Sequence, residues 1–265
     1  MHSLRGVAAQ KGSGDPAQKG SGDPAQKGSG DPAQKGAIWY ARKLPLAVSF
    51  DISFTLQFHR PSTCAMPNAS AAVCGDAGIG GEGIALVLHN DPTGLLAGGC
   101  AGSGIGYAAD ASHFSSCGAR IHNSLALQLV SHQNVSYPRR QGVHVGPNET
   151  TTVAWSDSNS VSLHLNGSNA RAFAASVFPA GEDGARLTDG RTHHVRIQYS
   201  RPQVYVFTNR AATPAFVTSV DLPAIGAVDA DGLSWVGFTA STGLASMDVD
   251  LLDFAFCQHV GCTAD

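Results

Sequence analysis

Carboxylates set the first limit on what this chain can do. Its 265 residues include only three glutamates, Glu82, Glu149 and Glu182. Hydrolysis of a glycosidic bond by double displacement needs two carboxyl groups about 5–5.5 Å apart, one attacking and one donating a proton. The sequence has no Glu-x-Asp-x-x-Glu strand, and Asp248 with Asp250 comes nearest to placing two acids on one strand face. Other reactive spellings lack their context. Gly78-Ile79-Gly80-Gly81-Glu82-Gly83 has dinucleotide-loop spacing, but its apolar run follows the glycines instead of preceding them. Gly98-Gly99-Cys100-Ala101-Gly102 imitates a nucleophile elbow without a strand-turn-helix around it. His193 and His194 project to opposite faces of a strand, and Asp229-Ala230-Asp231-Gly232 lacks the later acid of a calcium loop. The chain reads as a non-enzyme.

Six cysteines fall as Cys64/Cys74, Cys100/Cys117 and Cys257/Cys262, with no Cys-x-x-Cys pair. An even number without metal-site spacing suggests structural disulfides, and local pairing in that order is one of several connectivities open to them. Four Asn-x-Ser/Thr sequons, at Asn68, Asn134, Asn148 and Asn166, are acceptors for N-glycosylation. Disulfides and glycans together place the protein in the secretory pathway or outside the cell. Met1 to Val7 shows no signal-like apolar run, so the expectation is either an upstream extension that supplies one or an unconventional route of export. With a formal charge of -3 and 14% charged residues, no strong field exists to attract nucleic acid or an anionic membrane. No apolar stretch is long enough for membrane insertion.

These residues must be positioned by strands. Leu46, Val48, Phe50, Ile52, Phe54, Leu56 and Phe58 alternate with smaller or polar residues, the period-two signature of a strand with one buried and one wet face. Further strand-like runs cover 84–88, 125–130, 151–155, 161–165, 194–199, 203–207, 215–220 and 235–239, divided by turn residues. A change of phase near Leu251-Leu252 predicts a bulge. Helical periodicity is lacking, so the fold class is all-β, an antiparallel β-sandwich of jelly-roll type. Before it, the octad Ala-Gln-Lys-Gly-Ser-Gly-Asp-Pro repeats three times from Ala9 to Pro32, and a fourth copy stops at Gly36. This composition cannot repay the entropy of ordering, so residues 1–36 are expected to be a flexible expansion within a loop, near a truncated opening strand. The main domain is expected at 37–256 and a Cys-containing tail at 257–265.

Gly36-Ala37-Ile38-Trp39-Tyr40, Gly80 to Asp91, Gly104-Ile105-Gly106-Tyr107, Asn123 to Ala126, Asp189 to His193 and Trp235 to Gly243 occur in an order that resembles the legume-lectin-like (L-type lectin) family, with its concanavalin A-like lectin domain. The resemblance implies carbohydrate binding, with glycans or glycoproteins as partners; separately, small polar outer residues such as Ser49, Ser53 and Thr55 would let a broad sheet pair back to back as a homodimer. It assigns sugar contact to Glu82 where relatives have Asp, to glycine amides at Gly99 or Gly102, to Asn134, and to the backbone at Gly243 and Leu244. A carboxylate accepts sugar hydroxyls, while amides donate to them. In the family the strand at 125–130 carries Glu and Asp that hold a transition metal and Ca²⁺; here Gln128 and Val130 stand in their places. Calcium favours carboxylate oxygens, so the metal pair is expected to be degenerate, Ca²⁺ being the one cofactor left open. A non-proline cis bond costs about 3–4 kcal/mol, so without an ion to hold it Gly81-Glu82 is expected to be trans. The alternative implied function is a structural or adhesive module that keeps this fold without sugar binding.

Overall fold

A computed structural model describes residues 2–3, 34–59, 81–109, 117–131, 140–145, 150–155, 159–169, 172–177, 186–243 and 246–259. In chain order the strands are β1 (His2–Ser3), β2 (Lys35–Trp39), β3 (Leu44–Pro45), β4 (Ser49–His59) and β5 (Gly83–His89). They continue with β6 (Ser124–Val130), β7 (Arg140–Val145), β8 (Thr150–Trp155), β9 (Ser160–Leu165) and β10 (Ala174–Val177). The last five are β11 (Thr192–Ser200), β12 (Gln203–Thr208), β13 (Phe216–Ser219), β14 (Leu233–Ser241) and β15 (Asp248–Cys257).

One sheet has six strands in the order β1-β15-β4-β11-β12-β13. The other runs β10-β9-β6-β5-β14-β2, with β3 also pairing β14, and β7 pairs with β8 in a separate ribbon. All pairings are antiparallel. The alternation along β4 sends Phe50, Ile52, Phe54, Leu56 and Phe58 into a core shared with Leu86, Leu127, Val161, Ile197, Phe238 and Phe254. Edge-on contacts of Phe238 with Phe54 and Phe254, ring centres 5.1 and 5.9 Å apart, lock the sheets face to face. The bulge falls where the periodicity places it, as a register shift between Leu251 and Asp253 that leaves Leu252 exposed.

Two residues depart from the alternation. Val48 precedes the first paired residue of β4 and is 70% exposed, because the bend at 47–48 releases it from the strand's phase. Asp51, on the face expected to be wet, is only 4% exposed. Arg196 on the neighbouring β11 covers it, donating from Nε to both carboxylate oxygens at 3.0 and 2.9 Å, and Gln198 adds a bond of 3.1 Å.

β5 and β6 are buried along their whole length for a different reason. Their core-facing residues alternate with Ala85, Val87, Ala126 and Val130, which pack under a roof formed by Ala97, Ile105, Tyr107, Ala108 and Ile121. The Cys100–Cys117 disulfide, with Cα atoms 5.6 Å apart, pins this roof. Cys257 is also disulfide-bonded; Cys64, Cys74 and Cys262 lie outside the described residues, as do Asn68, Asn134, Asn148 and Leu244.

Candidate functional site

Glu82 lies one residue before β5, and its carboxylate turns toward the segment that follows β14. A Cβ built on Gly243 would overlap Glu82 Oε1, so glycine is what lets the acid occupy this position. Glu82 is 9% exposed. On its other side Ser131 donates its N–H to Glu82 O at 3.3 Å and its hydroxyl to Gly81 O at 2.6 Å. The Gly81–Glu82 peptide is trans, Arg201–Pro202 being the one cis bond among the described residues.

Gly102 joins the same cluster. Its N–H donates to Thr242 O at 3.1 Å, and its carbonyl accepts from Ser241 Oγ at 2.7 Å. Gly99 sits so close to the backbone of Tyr107 and Ala108 that any Cβ would strike it. Its N–H is bound to Gly106 O at 2.6 Å, and its carbonyl accepts from Lys35 Nζ at 2.7 Å. The amides of both glycines are therefore engaged within the protein, and these residues shape the loop. Four of the six expected contact residues, Glu82, Gly99, Gly102 and Gly243, fall in one neighbourhood, while Asn134 and Leu244 lie outside the described residues.

Sequence reasoning missed Gln34, Lys35 and Thr242. Gln34 exchanges backbone hydrogen bonds with Thr242 at 2.8 Å and 2.9 Å, the second through Thr242 Oγ1. Lys35 pairs with Ser241. Both belong to the fourth octad copy, whose composition hides a strand start. The signal available was the apolar continuation, Ala37-Ile38-Trp39-Tyr40.

On β6 the residues at 128 and 130 do share a face, the roofed one, as alternation requires. Val130 packs in the apolar cluster beneath the roof. Gln128 is fully buried and donates from Nε2 to Asn169 Oδ1 at 2.6 Å. Opposite it on β9, Ser162 Oγ and His164 Nε2 are 2.9 Å apart, and His164 Nδ1 lies 3.2 Å from Ser168 O. This set holds no carboxylate and does not fit a calcium ion, which takes six to eight oxygens, mainly from carboxylates. Among the described residues no three His, Cys, Asp or Glu side chains converge as a metal site would require.

At the opposite end of β5, His89 Nδ1 accepts the Asp91 N–H at 3.1 Å, and the ring meets the edge of Trp39 at 4.4 Å. Burial lowers the His89 pKa to about 4, so the imidazole is neutral near neutral pH. Burial alone would raise Asp91; hydrogen bonds from the Thr93 hydroxyl and N–H and from the His122 N–H outweigh it and hold the carboxyl below its ordinary range. Lys43 bridges Asn90 and Asp229 nearby, at 2.9 and 2.7 Å. This end is a structural clamp that fixes β3 and β5 to the turn before β14.

Comparison with solved structures decides the fold. The chain aligns over 89% of its length with 78% of the VIP36 exoplasmic/lumenal domain in its Ca²⁺/Man-bound form, at 17% identity and a TM-score of 0.50. Lectin UEA-II complexed with galactose matches at 17% identity and TM-score 0.53, covering 88% of this chain and 85% of that one. Lectin I-B4 from Griffonia simplicifolia, in a metal-free form, matches at 17% identity and TM-score 0.53, over 85% and 81%. The fold is that of the L-type lectins. No family model matches the sequence, and no curated protein does. Within the L-type lectin sandwich the Glu82 cluster lies at the β5 start and the β14 end, where those two neighbouring strands pair Gly83 with Ser241.

Proposed function

We propose that this chain is a carbohydrate-recognition module of the secretory pathway or extracellular space that works without the metal pair. Glu82 accepts sugar hydroxyls, Asn134 donates to them, Gly243 and Leu244 present backbone, and Gly99 and Gly102 set the shape of the intervening loop. The observation that carries this reading is the meeting of Glu82 with Gly243 beside the Gly102 turn, three segments distant in sequence. Its solved neighbours include lectins bound to mannose and galactose, which supports a glycan as the ligand class. Exposed Asn166 is proposed to carry a glycan of its own.

A second reading, an adhesive module without sugar binding, is favoured by the burial of Glu82 and by the neutral side chains at 128 and 130. A glycan array probed with calcium and again with chelator separates the two. Hits that persist in chelator support a metal-independent lectin, and hits lost in chelator restore the ion to the site. A blank array on both leaves adhesion.

A further inference from the structure

The loop carrying Gly99 and Gly102 is held from below through its carbonyl groups. Ser241 Oγ donates to Gly102 O at 2.7 Å, Asn169 Nδ2 to Ser103 O at 2.5 Å, and Thr239 Oγ1 to Ile105 O at 2.8 Å. All three donors are neutral and buried. The middle one has a support of its own, because Asn169 is in turn held by Gln128 on β6.

The orientation of both amides follows from one unambiguous atom. Ser103 O is a backbone carbonyl and can only accept, so the Asn169 amino group must face it. Asn169 Oδ1 then faces Gln128, which must present its own amino group. That leaves Gln128 Oε1 as the atom with no hydrogen-bond partner, and it is indeed buried without one. An unpaired buried acceptor costs roughly 1–3 kcal/mol, a cost that leucine at this position, flanked by Ala126 and Val130, would not carry. The same polarity excludes a carboxylate at 128, whose oxygens would confront Asn169 Oδ1.

We propose that Asn169, oriented by Gln128, is the positioning residue for the Gly99–Ala108 loop, and that this neutral relay does the anchoring without any ion. Only the statement that the loop meets sugar rests on the function proposed above; the relay itself does not. Loop amides that report on it are hydrogen-bonded in the native state, including those of Gly102, Ile105, Gly106 and Ala108.

Hydrogen exchange of the full chain tests the proposal with no sugar present. Wild-type protection over 99–108 is expected to be equal in calcium and in EDTA. Asn169→Asp keeps the acceptor toward Gln128 but sets an oxygen against Ser103 O, and is expected to lower loop protection about tenfold while β4 and β11 amides stay unchanged. In the double variant Gln128→Leu/Asn169→Leu the apolar pair preserves packing and removes the unpaired Gln128 Oε1 while leaving Ser103 O without its donor, two costs of similar size, so the melting temperature is expected to hold while loop protection falls. A merely structural role would move both together. Protection that falls in EDTA, or that survives Asn169→Asp, overturns the relay. A blank glycan array beside the expected exchange pattern refutes the sugar reading and leaves the relay standing.

Discussion

Single residues here act through what they leave room for. Gly243→Ala would drive a methyl group into Glu82 Oε1, so the variant is expected to displace the carboxylate and abolish retention on any glycan surface that captures the wild type, which surface plasmon resonance checks. Arg196→Ala leaves Asp51 buried beside Gln198 without its counter-ion. Breaking a buried pair from one side costs about 3–5 kcal/mol, a range reduced here because the arginine side chain is about a quarter exposed; urea denaturation measures the loss. His89 gives the molecule an acid limit. The unfolded imidazole takes up its proton near pH 6.5 and the folded one near 4, so the unfolded state binds more protons between these values. The stability that His89 contributes is therefore fully present above about pH 6.5 and falls as pH drops toward 4, by on the order of 3 kcal/mol, readable from denaturation free energies alongside the His89 ring shifts. The meeting of Glu82 with Gly243 was legible because each sits in a motif of the resemblance. Asn169 was not, since an asparagine just past a hairpin turn reads as surface until the partner carbonyl of Ser103 is known.

Among the elements, the strands most readable from sequence were those with one wet face. β4 and its bulged neighbour β15 declared themselves by alternation, but β5 and β6 read only as apolar runs, because a sheet face covered by a loop removes the polar half of the pattern. Short strands β3 and β10 and the first strand of the 140–155 ribbon carried too few residues, or too mixed a composition, to show any period. Strand order was illegible throughout, because long-range pairings such as β4 with β15 depend on which faces meet and not on local preference. The roof over β5 and β6 depends on its staple. Replacing Cys100 and Cys117 with serine releases a loop of 17 residues, for which about 3 kcal/mol of stability is expected to be lost. The thermal midpoint of the serine variant against that of the wild type checks this, and near-equal midpoints would mean that the apolar cluster alone holds the roof.

For the molecule as a whole, the octads lie between β1, an edge of one sheet, and β2, an edge of the other. β2 starts at Lys35, within the fourth copy, so Ala-Gln-Lys-Gly is both the repeat's opening word and the lead into the sandwich. Excising residues 9–32 removes three whole copies and brings Ala33-Gln34-Lys35-Gly36 up to Ala8, leaving the bonds of Gln34 to Thr242 and of Lys35 to Gly99 in place. The unfolding free energy of the shortened chain, measured in urea, is expected to lie within about 1.5 kcal/mol of that of the full one, since the connection from Ser3 to Lys35 shrinks by a little over two halvings, each worth only about 0.6 kcal/mol. Because every copy ends on the same junction, the tract can grow or shrink by whole octads while the lectin sandwich receives an identical leading edge. Copy number is thereby uncoupled from the contacts that seat β2, so whole octads can be added or removed without altering the register into which they lead.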